Sequence, residues 1–431
     1  MKIAATPRIL TLLFFAAILR RSAAAPSDAF WPQWRGPLCT GEAPLADPPL
    51  HWSETNNIQW KTPIPGEGDA TPIVWDQRVF VLTAVSTGSA AATMDAPRTP
   101  YRFTVLCLDR ATGKILWQKV AREEIPHEGH QENNTYASSS PVTDGQRLYA
   151  SFGSRGLYCY DLDGVLQWQK DLGQMKTRMG FGEGASPAVF GDNIVVPWDQ
   201  EANSFIVALD KQTGNEVWRV ARDEATGWST PLIIDFQGQR QVIVNATKAV
   251  RSYDLDTGKL LWSCGGQTPN AIPSPVASGD TVYLTSGFRG NALQAIRLGR
   301  SGDLTGTDAV LWSHPRGTPY VPSPLLTDGL LYIVKNNDAI LSCLDAKTGA
   351  VNFDQERLDS LHAIYASPVS AKDRIYVLGR QGTCLVLRKG PKLEILAVNT
   401  LADDHTDASM ALVGNQAFLR TRSNLYCLAE K

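Results

Sequence analysis

The sequence predicts an all-β chain: an eight-bladed β-propeller of four-stranded antiparallel blades, its ring closed by an N-terminal strand that completes the last blade. Two linked repeats and their spacing carry this expectation. An opening dipeptide recurs as Thr71-Pro72, Ser140-Pro141, Ser186-Pro187, Thr230-Pro231, Ser274-Pro275, Ser323-Pro324 and Ser367-Pro368, with a degenerate copy at Ser409-Met410. Most steps are about 42 to 49 residues, close to the length of a four-stranded blade. A closing turn recurs in phase, as Asp109 to Gly113 before Trp117, Asp210 to Gly214 before Trp218, Asp254 to Gly258 before Trp262 and Asp345 to Gly349 before Phe353. Altered copies end on Trp168 and Trp312.

Within one copy, Ser186 to Trp218, an apolar run ends at Phe190 and Gly191-Asp192-Asn193 supplies turn chemistry. Ile194 to Pro197 and Phe205 to Leu209 are two further runs, and the fourth carries Trp218. Such a sheet cannot bury both faces alone, so it needs neighbours of its own kind. The glycine takes the positive-φ position of the hairpin turn. The aspartate bonds its own turn backbone, and the tryptophan docks between blades. Trp117, Trp168, Trp218, Trp262 and Trp312 are therefore expected at equivalent buried interfaces, with Trp60 doing the same for the closing strand.

The pattern Ala208-Leu209-Asp210, Thr213-Gly214 and Trp218 resembles the tryptophan-docking motif of the pyrroloquinoline-quinone-like (PQQ-like) eight-bladed propellers. That superfamily includes quinoprotein dehydrogenases and BamB, the propeller of the outer-membrane protein assembly machine. The resemblance covers essentially everything after Asn57. The lead-in Trp31 to Pro37 and the run from Trp228 to Pro275 resemble a bacterial secreted subgroup of PQQ-binding-like repeat proteins. The likeness speaks for the fold and only weakly for an activity, because one fold hosts many functions.

The rest of the chain fits one propeller. It has 431 residues, 43% hydrophobic and 19% charged, with a formal net charge of -2. That balance gives no reason to expect nucleic acid or an anionic membrane as partner. Residues 1–25 read as a signal peptide: Lys2 and Arg8, the apolar run Ile9 to Leu19, then small residues at Ser22 to Ala25. Arg20 and Arg21 leave an uncleaved anchor open. The chain is expected to be exported to a periplasm or the cell exterior, without a transmembrane span after signal removal, and to act as a monomer. Residues 26–56 read as an extended lead-in along the outside of the disc, and 57–431 as the propeller. Ile58 to Ile64 supplies the missing strand of the final copy, which shows only three strand signals between Ser409 and Leu428.

Of the 7 cysteines, Cys107, Cys159, Cys343 and Cys427 share the third-strand position that Ala208 and Ala295 hold elsewhere. They read as small buried fillers, too far apart to bridge. No metal site is expected. His127, Glu128 and His130 lie in a polar loop whose spacing fits no helical zinc motif, and they read as solvated.

Candidate site residues come from the lead-ins to the inner strands, which converge on one mouth. Asn134, Tyr136, Glu183, Trp228, Asn270, Tyr320, Tyr365 and Asp407 each lie a few residues before an opening dipeptide, and repeats place equivalent positions on one ring. Turn cations at Arg155, Arg289 and Arg380, with Lys248, Lys335 and Arg422, are expected around the rim, where they would attract an anionic ligand or be ordinary solvated turns. The favoured reading is a non-catalytic exported scaffold that binds a protein, peptide or glycan through one face, as BamB-like propellers do, with no cofactor. The alternative that the resemblance implies is a PQQ- and calcium-dependent dehydrogenase. Trp228 or Trp198 would then stack the cofactor, and Asp407 or Glu183 would hold Ca²⁺. Against it, the adjacent cysteines and CxxCH haem motif of those enzymes are absent from the sequence.

Overall fold

A computed structural model describes residues 27–88, 94–402 and 405–430; residues 1–25, which the sequence leads one to expect as a signal peptide, lie outside them. Eight sheets follow one another around a ring. Their inner strands are Ile73–Trp75, Val142–Thr143, Ala188–Phe190, Leu232–Phe236, Val276–Ser278, Leu325–Thr327, Val369–Ala371 and Ala411–Val413, and they define blades 1 to 8. Each blade then runs outward through three antiparallel strands. Blade 8 is completed by Ile58–Pro63, which pairs antiparallel with Asn424–Ala429 and sets Trp60 opposite Cys427. Joining the two ends in one sheet closes the ring and removes its free edge.

The tryptophan and glycine repeats meet across blade boundaries. The indole N–H groups of Trp60, Trp117, Trp168, Trp218 and Trp312 each donate to a carbonyl beside the closing turn of the next blade. The acceptors are Arg110, Leu162, Lys211, Leu255 and Ala346, at 2.8 to 3.1 Å. Each ring also covers that turn's glycine: a Cβ on Gly113, Gly164, Gly214, Gly258 or Gly349 would come within 2.5 to 2.8 Å of the indole. Glycine is thus required here both for its positive φ and for the close approach of the ring. The residue directly across from each docked tryptophan is small: Cys107, Cys159, Ala208, Ala295 and Cys427 face Trp117, Trp168, Trp218, Trp312 and Trp60. All seven cysteines are unbridged. Burial raises the thiols of Cys107, Cys159 and Cys427 to about 12.

Two expectations about the tryptophans need correction. Trp117, Trp168 and Trp312 are only partly buried. Trp262 does not dock as the others do: it donates to Gln241 Oε1 of its own blade at 3.1 Å. Blade 5 has no Asp-x-x-Thr-Gly turn to receive it. Instead an insertion after Arg297 lays Gly302–Asp303 as a short parallel strand beside Trp262.

The lead-in departs furthest from expectation. Residues 31–43 do not run along the outside; they plug the central channel. Trp31 exchanges backbone hydrogen bonds with Val74 of blade 1, and Thr143 of blade 2 donates to the Pro32 carbonyl. Leu326 of blade 6 donates to Thr40, Ser370 of blade 7 donates to Gly41, and Glu42–Ala43 pairs parallel with the blade 7 inner strand. The physical reason is that inner strands show unpaired backbone groups to the channel, and a chain threaded there satisfies them. The buried Arg35 guanidinium ties the plug down, donating to the carbonyls of Pro324 and Pro368 at 2.9 Å each. Only after Ala46 does the chain turn outward over blades 7 and 8, where Tyr376 donates to Pro48 and Trp52 N–H to Asn399.

Candidate functional site

The opening dipeptides build the floor of the site. The backbone N–H of each opening Ser or Thr donates to the hydroxyl of the next blade's: Thr71 to Ser140, Ser140 to Ser186, Ser186 to Thr230, Thr230 to Ser274, Ser274 to Ser323, Ser323 to Ser367 and Ser367 to Ser409, at 2.8 to 3.2 Å. This belt explains why the opening residue of blades 2 to 8 carries a hydroxyl. The Thr71 hydroxyl, where the belt would close, is buried and has no partner among the described residues. Trp34 of the plug donates its indole N–H to Ser274 Oγ at 3.1 Å, which brings the plug up to the belt.

Above the belt lies a funnel of ≈ 190 Å³. Its wall follows one rule: the residue two before each opening Ser or Thr faces in. Those residues are Asp69, Ser138, Gly184, Trp228, Ile272, Val321, Tyr365 and Asp407, and all eight line the cavity. These positions lie in the lead-ins just before the inner strands, at the same register in every blade. All eight are partly exposed, whereas the intervening residue is buried in every blade but blade 3, where it is Ala185. Asn133, Asn134, Gln131, Phe181, Tyr320 and Trp34 belong to the lining too.

Of the candidate residues, the structure brings Asn134, Trp228, Tyr320, Tyr365 and Asp407 together on this funnel. Glu183, Tyr136 and Arg155 form a separate cluster around a smaller cavity of ≈ 30 Å³, which Trp228 also borders. Glu183 accepts from Arg155 at 2.8 Å and from the Ser154 backbone at 2.7 Å, and the Arg155 guanidinium lies 5.1 Å from the Tyr136 ring centre. Arg155 is therefore not a rim cation: it is 3% exposed and spent on an internal ion pair. Asn270 is buried in a positive-φ turn away from the cavity. Trp198, a candidate for stacking, is buried against Phe205.

The rim also differs from expectation. Lys248 pairs with Asp223, Lys335 with Asp338 and Arg380 with Asp407. Their charge is compensated locally, so they form no free cationic collar. Arg289 remains exposed, lying over Phe288, which stacks in turn on Tyr320. The His127–His130 loop is not solvated either. His130 is buried edge-on to Tyr136, and Glu128 accepts from the Thr177 backbone and hydroxyl. The same loop reaches over the mouth, where Asn133 Nδ2 donates to the Tyr365 hydroxyl at 3.2 Å.

The most charged part of the wall joins blades 7, 8 and 1. Asp407 accepts two hydrogen bonds from Arg380, at 2.7 and 2.9 Å, and lies 3.0 Å from His405 Nε2. Burial pushes its carboxyl up, but His405 and Arg380 outweigh burial and hold it below the usual range. The Asp69 carboxyl accepts no hydrogen bond from the described residues. Burial, reinforced by the charge of Asp407, raises it to about 7 against the pull of Arg420, His405 and Arg422. Asp69 was missing from the candidates. Its position two residues before Thr71, matching Asp407 before Ser409, was the signal that could have found it.

The family model for the outer membrane protein assembly factor BamB matches residues 50–179, 101–355 and 203–431. The chain belongs to this family. It is 22% identical over 299 residues to the BamB of Shewanella oneidensis, an alignment covering 65% of each chain. Among solved structures it resembles BamB of Moraxella catarrhalis at a TM-score of 0.59 and 14% identity, covering 86% of this chain and 96% of that one. It also resembles a europium-containing methanol dehydrogenase, at a TM-score of 0.65 and 10% identity over 93% of this chain and 98% of that one. At such identities the structural likeness speaks for the fold alone, and family membership leaves the funnel's occupant open.

Proposed function

We propose that this chain is an exported, non-catalytic member of the BamB family that captures part of a protein, peptide or glycan partner in its funnel. Export rests on the signal character of residues 1–25. Among the described residues no helix is long and apolar enough to cross a membrane. The observation that carries the reading is the convergence of all eight inward positions, one per blade, on a single cavity with the plug's Trp34 in its lining. Repeat positions that serve only the fold need no such mixture of aromatic, hydroxyl and carboxyl groups, the polar ones of which are costly to bury without partners.

The same lining argues against PQQ as the occupant. That cofactor carries three carboxylates, and no lysine or arginine lines the funnel, while Asp69 and Asp407 do. Among the described residues no group of three or more His, Cys, Asp or Glu side chains is placed to hold a metal. The disulfide of adjacent cysteines on which the dehydrogenases stack their cofactor has no counterpart. Capture is tested by titrating tryptophan fluorescence with defined peptides and oligosaccharides. A saturable response that Tyr365→Ala, which keeps the funnel's tryptophans, abolishes with folding intact supports the proposal; equal responses in both proteins contradict it.

A further inference from the structure

Resting on that reading of the funnel as a capture site, its two sides narrow the choice of occupant. One arc, from blades 4 to 6, is apolar: Trp228, Ile272 and Val321, with Tyr320 held against Phe288 at 5.0 Å between ring centres. The facing arc, from blades 8, 1 and 2, is polar: Asp407, Asp69 and Ser138, with the amides of Gln131, Asn133 and Asn134. Tyr365 stands at the boundary, with the Arg380 guanidinium 4.4 Å from its ring centre and its hydroxyl bonded to Asn133.

The polar arc offers hydrogen bonds rather than net charge. Asp407 is paired with Arg380 and lies beside His405. Arg420, behind Asp69, is 1% exposed and donates to the Leu82 carbonyl. The charged and titratable groups acting on Asp69 are Asp407, His405, Arg422 and Arg420. Against them burial still favours the neutral acid, so the Asp69 carboxyl is able both to give and to accept a hydrogen bond near neutral pH. A free anion would meet two carboxyl groups and no lining cation. A cation would have to draw a proton from Asp69 with three arginines nearby.

We infer that the funnel binds a neutral sugar ring of a glycan, the apolar arc receiving its C–H face and the polar arc its hydroxyls. An aromatic and aliphatic wall opposite a wall of amides, hydroxyl and carboxyl complements a pyranose, which is apolar on its faces and hydroxylated at its edge. Trp228 is the stacking platform. Asp69 acts as a hydrogen-bonding group, not as a charge.

Isothermal titration of the full chain with neutral disaccharides, a uronate-containing disaccharide, a sulfated disaccharide and a lysine-rich peptide tests this. A neutral sugar is expected to saturate the site at pH 7. Trp228→Ala and Asp69→Ala are expected to weaken it about tenfold or more, the loss of roughly 1.4 kcal/mol, while Asp69→Asn, which keeps a donor and an acceptor, stays within about threefold. Thermal melts confirm that each variant folds. Failure of every neutral sugar to bind, tighter binding of the acidic sugars, or an Asp69→Asn loss as large as that of Asp69→Ala would overturn the inference. Binding of the peptide in place of sugars would overturn it too, yet would leave the capture reading standing.

Discussion

Two sets of equivalent positions run around this ring, and they behave oppositely. At the outer boundary the docking residue is tryptophan in five blades, and it always meets a glycine of the next blade. At the inner mouth the position two before the opening dipeptide carries aspartate, serine, glycine, tryptophan, isoleucine, valine and tyrosine, and only aspartate occurs twice. The outer position solves the same packing problem in each blade, so one answer recurs. The inner position faces a shared space with one asymmetric content, so each blade contributes something different. Uniformity marks the residues that hold the ring together, and variety at a fixed position marks those that line the funnel, where the proposed ligand would sit.

The largest effect should come from the uniform set. Trp218→Ala removes a buried indole, its bond to Leu255 and its cover of Gly258, and should cost about 3–5 kcal/mol in urea unfolding. A loss below about 1 kcal/mol would mean that docking does not hold the blades. Next comes the hydroxyl belt. Ser274→Ala strips an acceptor from both the Thr230 backbone and the Trp34 indole and should cost about 1–3 kcal/mol. Thr71→Val, at the hydroxyl without a partner among the described residues, should fall within about 0.5 kcal/mol of the parent. Equal costs for the two would remove the belt from the account.

The variable set should show its effect through pH. The Asp69 carboxyl is raised in the folded state, so the folded chain holds a proton there that the unfolded chain releases near pH 4. Its contribution to stability is present at acid pH and is lost as pH rises toward about 7. Asp69→Asn should therefore melt with the parent at about pH 4 and above it at about pH 8. A variant that melts below the parent at the higher pH would show that Asp69 is held ionised.

The same contrast explains what could be read from the sequence. The blades, their number and the closing strand were legible because Ser-Pro and Asp-x-x-Thr-Gly recur at a fixed step. The mouth was legible where an aromatic or charged residue stood out, as at Trp228, Tyr365 and Asp407. Asp69 stood in the first lead-in, beside Gly66 and Gly68, and only its register pointed inward. Glu183 and Tyr136 lie one and two residues further from the dipeptide, where the chain turns side chains behind the wall, and a sequence does not show which side they take. The plug was hidden for another reason. Residues 31–43 have no period of their own, because they borrow their pairing from the inner strands of the ring.

Cysteine accessibility tests the central claim most directly. In a Cys39→Ser background, since the other native thiols are buried, cysteines are placed at Ser138, Val321 and Tyr365 and, separately, at their buried successors Ser139, Pro322 and Ala366. A maleimide should label the first three in the folded protein, and a bound ligand should protect them together. The second three should stay unlabelled until the chain unfolds. Equal labelling of the two sets, or protection confined to one blade, would contradict a single funnel built from one position of every repeat.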